Sequence, residues 1–117
     1  MSATPIPRIA TFEKFWPFYV GEHSRAVTRW LHFAGTLGGT LGLLILIVTR
    51  HARYFPFILI YSYGLAWIGH FFVEKNRPAT FKYPLLSFLA DYKMCAFMLT
   101  GKMETELRKT FSVRKPA

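Results

Sequence analysis

The sequence predicts an all-α fold: an integral membrane helical hairpin of two spans, with a preceding interfacial helix and a third apolar helix, interfacial or spanning. Three observations predict it. The 117 residues are 52% hydrophobic and 18% aromatic, more apolar surface than a soluble domain of this size can bury. The apolar residues come in three blocks, 31–49, 56–73 and 84–101. The basic residues, with a formal net charge of +9, flank these blocks.

Taken in order, residues 1–10 carry two prolines and read as a loose tail. They lack the basic start, apolar centre and small-residue cleavage site of a signal peptide. In "TFEKFWPFYVGEH", Phe12, Phe15, Trp16 and Tyr19 recur at i, i+3, i+4 and i+7. This spacing predicts a short interfacial helix with its aromatic rings at the headgroup level. Pro17 starts or kinks that helix, Gly21 ends it, and Ser24 is the expected N-cap of the next. Tyr19 is expected to anchor at the interface, a hydrogen bond near His23 being the alternative. Block 31–49 is 19 residues without a formal charge, long enough to span as a helix. Gly35 and Gly39 form one GxxxG, Gly38 and Gly42 another, and small residues at this spacing let helices approach closely. His32, Gly35, Gly39 and Gly42 share a face; a homo-oligomer through the Gly35/Gly39 face is one expected use of it. "RHARYF" is a tight connection, and Pro56 suits the first turn of the second span. The third block is interrupted by Asp91 and Lys93. Lone Cys95 has no partner for a disulfide and reads as a packing residue. Residues 102–117 read as a basic tail on anionic lipid or in solvent. The whole is a single membrane domain with its helical core at 12–101.

The charge count selects the topology. With two spans, thirteen Lys and Arg share one side, against Arg50 and Arg53 on the other. With three spans the sides tie at seven each and Lys93 is left inside. The positive-inside rule therefore favours the hairpin, with both termini in the cytoplasm and a cell inner membrane as the location. Mid-membrane charges such as Asp91 and Lys93 would each cost about 2.5–3.5 kcal/mol on insertion scales. The bilayer is thus the first expected partner. Nucleic acid is not, because the basic residues sit where the spans require them. There is no Gly-rich phosphate loop and no GxSxG elbow.

The hairpin brings histidines to one end. His23 precedes the first span, His32 lies at its start, and His70 lies at the same end of the second. Glu74, four residues after His70, shares its helix face. His51 sits in the opposite loop and is excluded. Imidazole suits iron, zinc, copper and nickel, and a carboxylate suits iron(II), so His23, His32, His70 and Glu74 are candidate metal ligands. His23 and His32 are nine apart, half a turn out of phase on a continuous helix. They can meet at one ion only if the chain breaks near Ser24. Asp91 is a fourth ligand, an outer group orienting an imidazole, or a partner of Lys93. The alternatives are interfacial, hydrogen-bonded histidines and a Glu74 paired with Lys75 or Arg77.

"FWPFYVGEHSRAVTRWLHFAGT" and "IGHFFVEKNRPATFKYPLLSFLADYKM" carry a Tyr-x3-His pair, a His-x8-His spacing, and GHxxxEKxRPA with a following FLxDY. On these motifs the chain, from about Phe12 to Gly101, resembles a family of small membrane proteins formerly known as a domain of unknown function. Its characterised fungal members are iron(II)-dependent dioxygenases of 2-hydroxy fatty acid alpha-oxidation, on the phytosphingosine degradation route. The resemblance implies Fe(2+), O2 and a long-chain 2-hydroxy fatty acid that loses one carbon. It implies His23, His32, His70, Glu74 and Asp91 as the catalytic set. Thr28 stands where the family commonly has Asn. Arg25, Arg29, Lys75 and Arg77 lie at a depth to attract a carboxylate, or serve as topological anchors. The alternative function is a non-catalytic membrane protein that binds lipid or a partner helix.

Overall fold

The computed structural model describes residues 8–114. Among them are five α-helices and no strand: α1 (Phe12–Gly21), α2 (Ala26–Thr49), α3 (Phe55–Ile68), α4 (Pro84–Thr100) and α5 (Met103–Arg114). A 3-10 turn (Ala52–Tyr54) leads into α3, and α3 widens without a break into a π-helical segment, Gly69–Glu74.

The segments Ala26–Thr49 and Ala52–Glu74 are long and apolar enough to cross a membrane. Their side chains face outward: Ile60 and Val48 are 69% and 81% exposed, and no residue of α3 is buried. So continuous an exposed apolar surface is compatible with insertion in a bilayer. Arg50 ends α2 in the left-handed region (φ 61°), so that the His51 amide donates back to Leu46 O.

The α2–α3 contact explains the glycines. A Cβ at Gly35 would lie 2.8 Å from the backbone oxygen of Ser62, and one at Gly39 would overlap the Ser62 hydroxyl. Ser62 Oγ donates to Gly35 O at 2.7 Å, and Tyr61 Oη donates to Ala34 O at 3.0 Å. The predicted close-packing face is therefore real, but α3 of the same chain covers it. The expected homo-oligomer through Gly35 and Gly39 has no open surface there.

The aromatic face of α1 is covered by protein. Phe15, Trp16, Tyr19 and Val20 are buried, together with Tyr83, Ala90, Met94 and Met103. The aromatic stripe packs on α4 and α5, which supply it with an apolar cover. Burial of side chains such as Phe15, Val20 and Met94 contributes about 1.5–3 kcal/mol each. Thr11 caps α1, and Pro17 sits inside it. Of the expected loose N-terminal tail, residues 1–7 lie outside the described residues. Arg8 donates to Lys82 O, and the Ile9 amide donates to Tyr83 Oη.

Of the residues expected as a tail, Met103–Arg114 form α5, which is docked by buried Met103 and by Trp16 Nε1 donating to Glu106 at 2.7 Å, and residues 115–117 lie outside the described residues. α4 crosses α2 antiparallel: Tyr92 meets Thr40, and Gly101 lies beside Ala26. Its two charges turn inward. Lys93 Nζ lies 4.4 Å from the centre of the Trp16 ring, and Asp91 meets Tyr19 rather than Lys93. Cys95 is buried, as expected.

Candidate metal centre

The break between α1 and α2 positions the first imidazole. Residues 22–25 leave the helix, and this lets His23 and His32 face each other. The cap is not the expected one. α2 begins after Arg25, whose own side chain makes no capping bond. Glu74 supplies the cap from across the site: its carboxylate accepts from the Ser24 amide (3.3 Å), Ser24 Oγ (2.5 Å) and the Arg25 amide (2.7 Å). A carboxylate suits the positive end of a helix. Arg29, only 8% exposed, donates to His23 O at 2.9 Å and braces the same loop.

His23, His32 and His70 are buried, with one nitrogen from each within 4.8 Å of the others. Ring centroids lie 4.3, 4.7 and 4.8 Å apart, and the rings stand nearly perpendicular to one another. Each Nδ1 is already engaged. His23 Nδ1 donates to Tyr19 O (2.7 Å), His32 Nδ1 to Thr28 O (3.1 Å) and His70 Nδ1 to Asn76 Oδ1 (2.7 Å). A carbonyl oxygen can only accept, so these contacts fix the proton on Nδ1. Asn76 is oriented in turn, because its Nδ2 donates to Glu22 O and Glu22 Oε2.

Three Nε2 lone pairs therefore point inward. Those of His23 and His32 stand 3.1 Å apart, close enough to share a proton or to face one cation. Burial, with His32 and His70 adding to it, pushes the His23 pKa well below that of a free imidazole. His23 is thus neutral, the form that binds metal. The three histidines can form a metal site.

Two predicted site residues do not join them. Glu74 is engaged in the α2 cap, where its two oxygens accept from the Ser24 and Arg25 amides and the Ser24 hydroxyl. Asp91 accepts from Tyr19 Oη at 2.5 Å, and Tyr19 stacks on His23 at 4.0 Å, so the expected interfacial anchor is a link into the site. Burial pushes the Asp91 carboxyl up to about 7, against the lowering effect of the Tyr19 hydrogen bond. Asp91 also lines a cavity of about 220 Å³ that reaches His32 and His70. No Lys or Arg lines that cavity, so Arg25, Arg29, Lys75 and Arg77 are not its carboxylate receptors. His51 is at the far end of the hairpin and exposed.

Residues 9–103 match a family model described as 2-hydroxy-palmitic acid dioxygenase Mpo1-like. The chain belongs to the Mpo1-like family. Comparison with curated proteins and with solved structures gives no match. In this member of the Mpo1-like family, Asn76 was not foreseen. It occupies an unspecified position of the GHxxxEKxRPA motif. Lys75, at φ 60°, folds the chain back so that the Asn76 amide donates to His70 O while Oδ1 meets the His70 ring.

Proposed function

We propose that this Mpo1-like protein is a membrane-bound iron(II)-dependent dioxygenase that shortens 2-hydroxy fatty acids by one carbon. The observation that supports it is the convergence of three buried Nε2 lone pairs at the head of an apolar cavity. Imidazole donors suit several first-row ions. Dioxygenase chemistry needs one that changes oxidation state, which excludes zinc. His23, His32 and His70 would hold the iron. When bound, iron(II) supplies the electron transfer that lets O2 react at the C1–C2 bond. The stoichiometry that balances is 2-hydroxy acid plus O2 giving the acid one carbon shorter, carbon dioxide and water.

The chain's own groups divide the remaining work. Tyr19 O, Thr28 O and Asn76 Oδ1 hold the imidazole protons outward and make Nε2 a better donor. Asp91, facing the cavity, accepts or returns the substrate hydroxyl proton, and Tyr19 fixes its orientation. Glu74 positions the His23 loop and is not a ligand. α2 and α3 cross the bilayer, with the imidazole end and both termini on the cytoplasmic side. Arg50 and Arg53 are the two basic residues left at the opposite end.

The test is metal analysis of detergent-purified protein after anaerobic iron reconstitution. One equivalent of iron is expected, lost in His23→Ala, His32→Ala or His70→Ala and kept in His51→Ala. Incubation with 2-hydroxy fatty acids under O2 should then give the acid one carbon shorter. Absence of stoichiometric iron in wild type, unaltered by the alanine variants, overturns the metal site. Iron without a shortened product at any chain length overturns the reaction.

A further inference from the structure

α3 and α4 both pack on α2 and touch each other little if at all. The space between them is the cavity that begins at His32 and His70. Its floor is made of small side chains, Thr36, Gly39 and Thr40 of α2, with Ser62 and Ala66 of α3. Its rims are large and half-exposed, Leu59, Tyr63 and Trp67 on one side and Phe88 and Tyr92 on the other.

Three features limit what can lie there. The polar groups of the floor are already paired: Ser62 Oγ with Gly35 O, and Thr40 Oγ1 with Thr36 O and Tyr92 Oη. A ligand with polar groups over this part of the floor would therefore find no free partner in Ser62 or Thr40, and Asp91 stands beside the imidazole end. No Lys or Arg lines the cleft, so the attraction for an acidic head is confined to the imidazole end. The outer edges are continuous with the exposed apolar faces of α2 and α3, so the cleft opens sideways onto lipid.

We infer that the α3–α4 cleft is the lateral doorway and seat of one acyl chain, drawn from within the bilayer. Its acid head lies at the imidazoles and its tail along α2 to Leu43. This rests on the proposed reading of the metal centre for the head group alone. The path from His32 to Leu43 is eleven residues of α2, about 16 Å. An extended polymethylene advances roughly 1.3 Å per carbon, so the seat holds on the order of a dozen carbons.

The test is photolabelling of wild-type protein in vesicles, iron-loaded under anaerobic conditions. The probe is a 2-hydroxy fatty acid with a diazirine at the end of its tail. Labels are expected on Leu43, Phe55 and Leu59. Leu59→Trp, which fills the cleft, should lower that labelling at least tenfold, and Leu44→Trp, outside the cleft, should leave it unchanged. Leu59→Ala should keep the label in place, separating blockage from misfolding. Labels spread over Leu41, Ile45 and Ile60, or equal labelling in Leu59→Trp, overturn the inference. Because the readout needs no turnover, cleft labelling without any shortened product sustains the seat while the reaction fails. A shortened product with labels outside the cleft does the reverse.

Discussion

Asn76 carries the most information of any residue not foreseen. Its side chain closes a line from Glu22 through the amide to the His70 ring, with both ends of the amide used in one orientation. Asn76→Ala would free His70 Nδ1 and release residue 22 from the π-helical segment. We expect iron affinity to fall 10–100-fold, measured by competition with a chelator. The fold, followed by far-ultraviolet circular dichroism, should be unchanged. Asn76→Asp combined with Glu22→Gln, which keeps an acceptor for His70 Nδ1 without setting two carboxylates together, should recover most of the loss; a loss equal to that of Asn76→Ala would reject the orienting role. The three histidines were legible in the sequence because imidazoles beside long apolar runs need a partner. Asn76 was not, because its use depends on the left-handed turn at Lys75. Asp91 was legible as a group near the site, but not its route there through Tyr19.

Among the elements, α2 lacks a capping side chain of its own and takes one from the segment that carries His70. Two histidine-bearing pieces thereby hold each other. Glu74→Ala should cost about 1 kcal/mol of stability, within the range for a lost N-cap, and weaken iron binding by loosening His23. Glu74→Gln keeps one accepting oxygen and should retain a full equivalent of iron. Loss of iron in the Gln variant, with stability intact, would make Glu74 a ligand after all. The half-turn mismatch between His23 and His32 correctly required a break near Ser24. The cap itself was missed because a local pattern shows only candidates along the chain, and this one arrives from fifty residues away. The stripe Phe12, Phe15, Trp16 and Tyr19 was legible as a helix face. What covers it, α4 and α5, was not, since a stripe has the same period against lipid as against protein.

For the whole molecule, the hairpin was read from hydropathy and the glycine face, and both hold in the structure. The third block was ambiguous because Asp91 and Lys93 count as charges in any linear scan. In the fold they turn inward, to Tyr19 and onto the Trp16 ring. The expected orientation can be read with single cysteines in a Cys95→Ala background. Thr105→Cys on α5 should react with an impermeant maleimide from the cytoplasmic side, and Ala52→Cys in the hairpin turn from the other. Labelling of both from one side would remove the two-span arrangement.

The π-helical segment sets one further condition. Its bonds run from i to i+5, so Gly69–Glu74 holds one residue more than an α turn would. In register it behaves as an insertion at the end of α3. Removing Phe71, Phe72 or Val73 would let the winding return to α, where each residue turns about 100°. Glu74 and Asn76 would then swing away from the loop they hold, even with every chemical group retained. At this corner the spacing of the chain is as strict a requirement as its side chains, and a single deletion there is a different kind of lesion from any substitution.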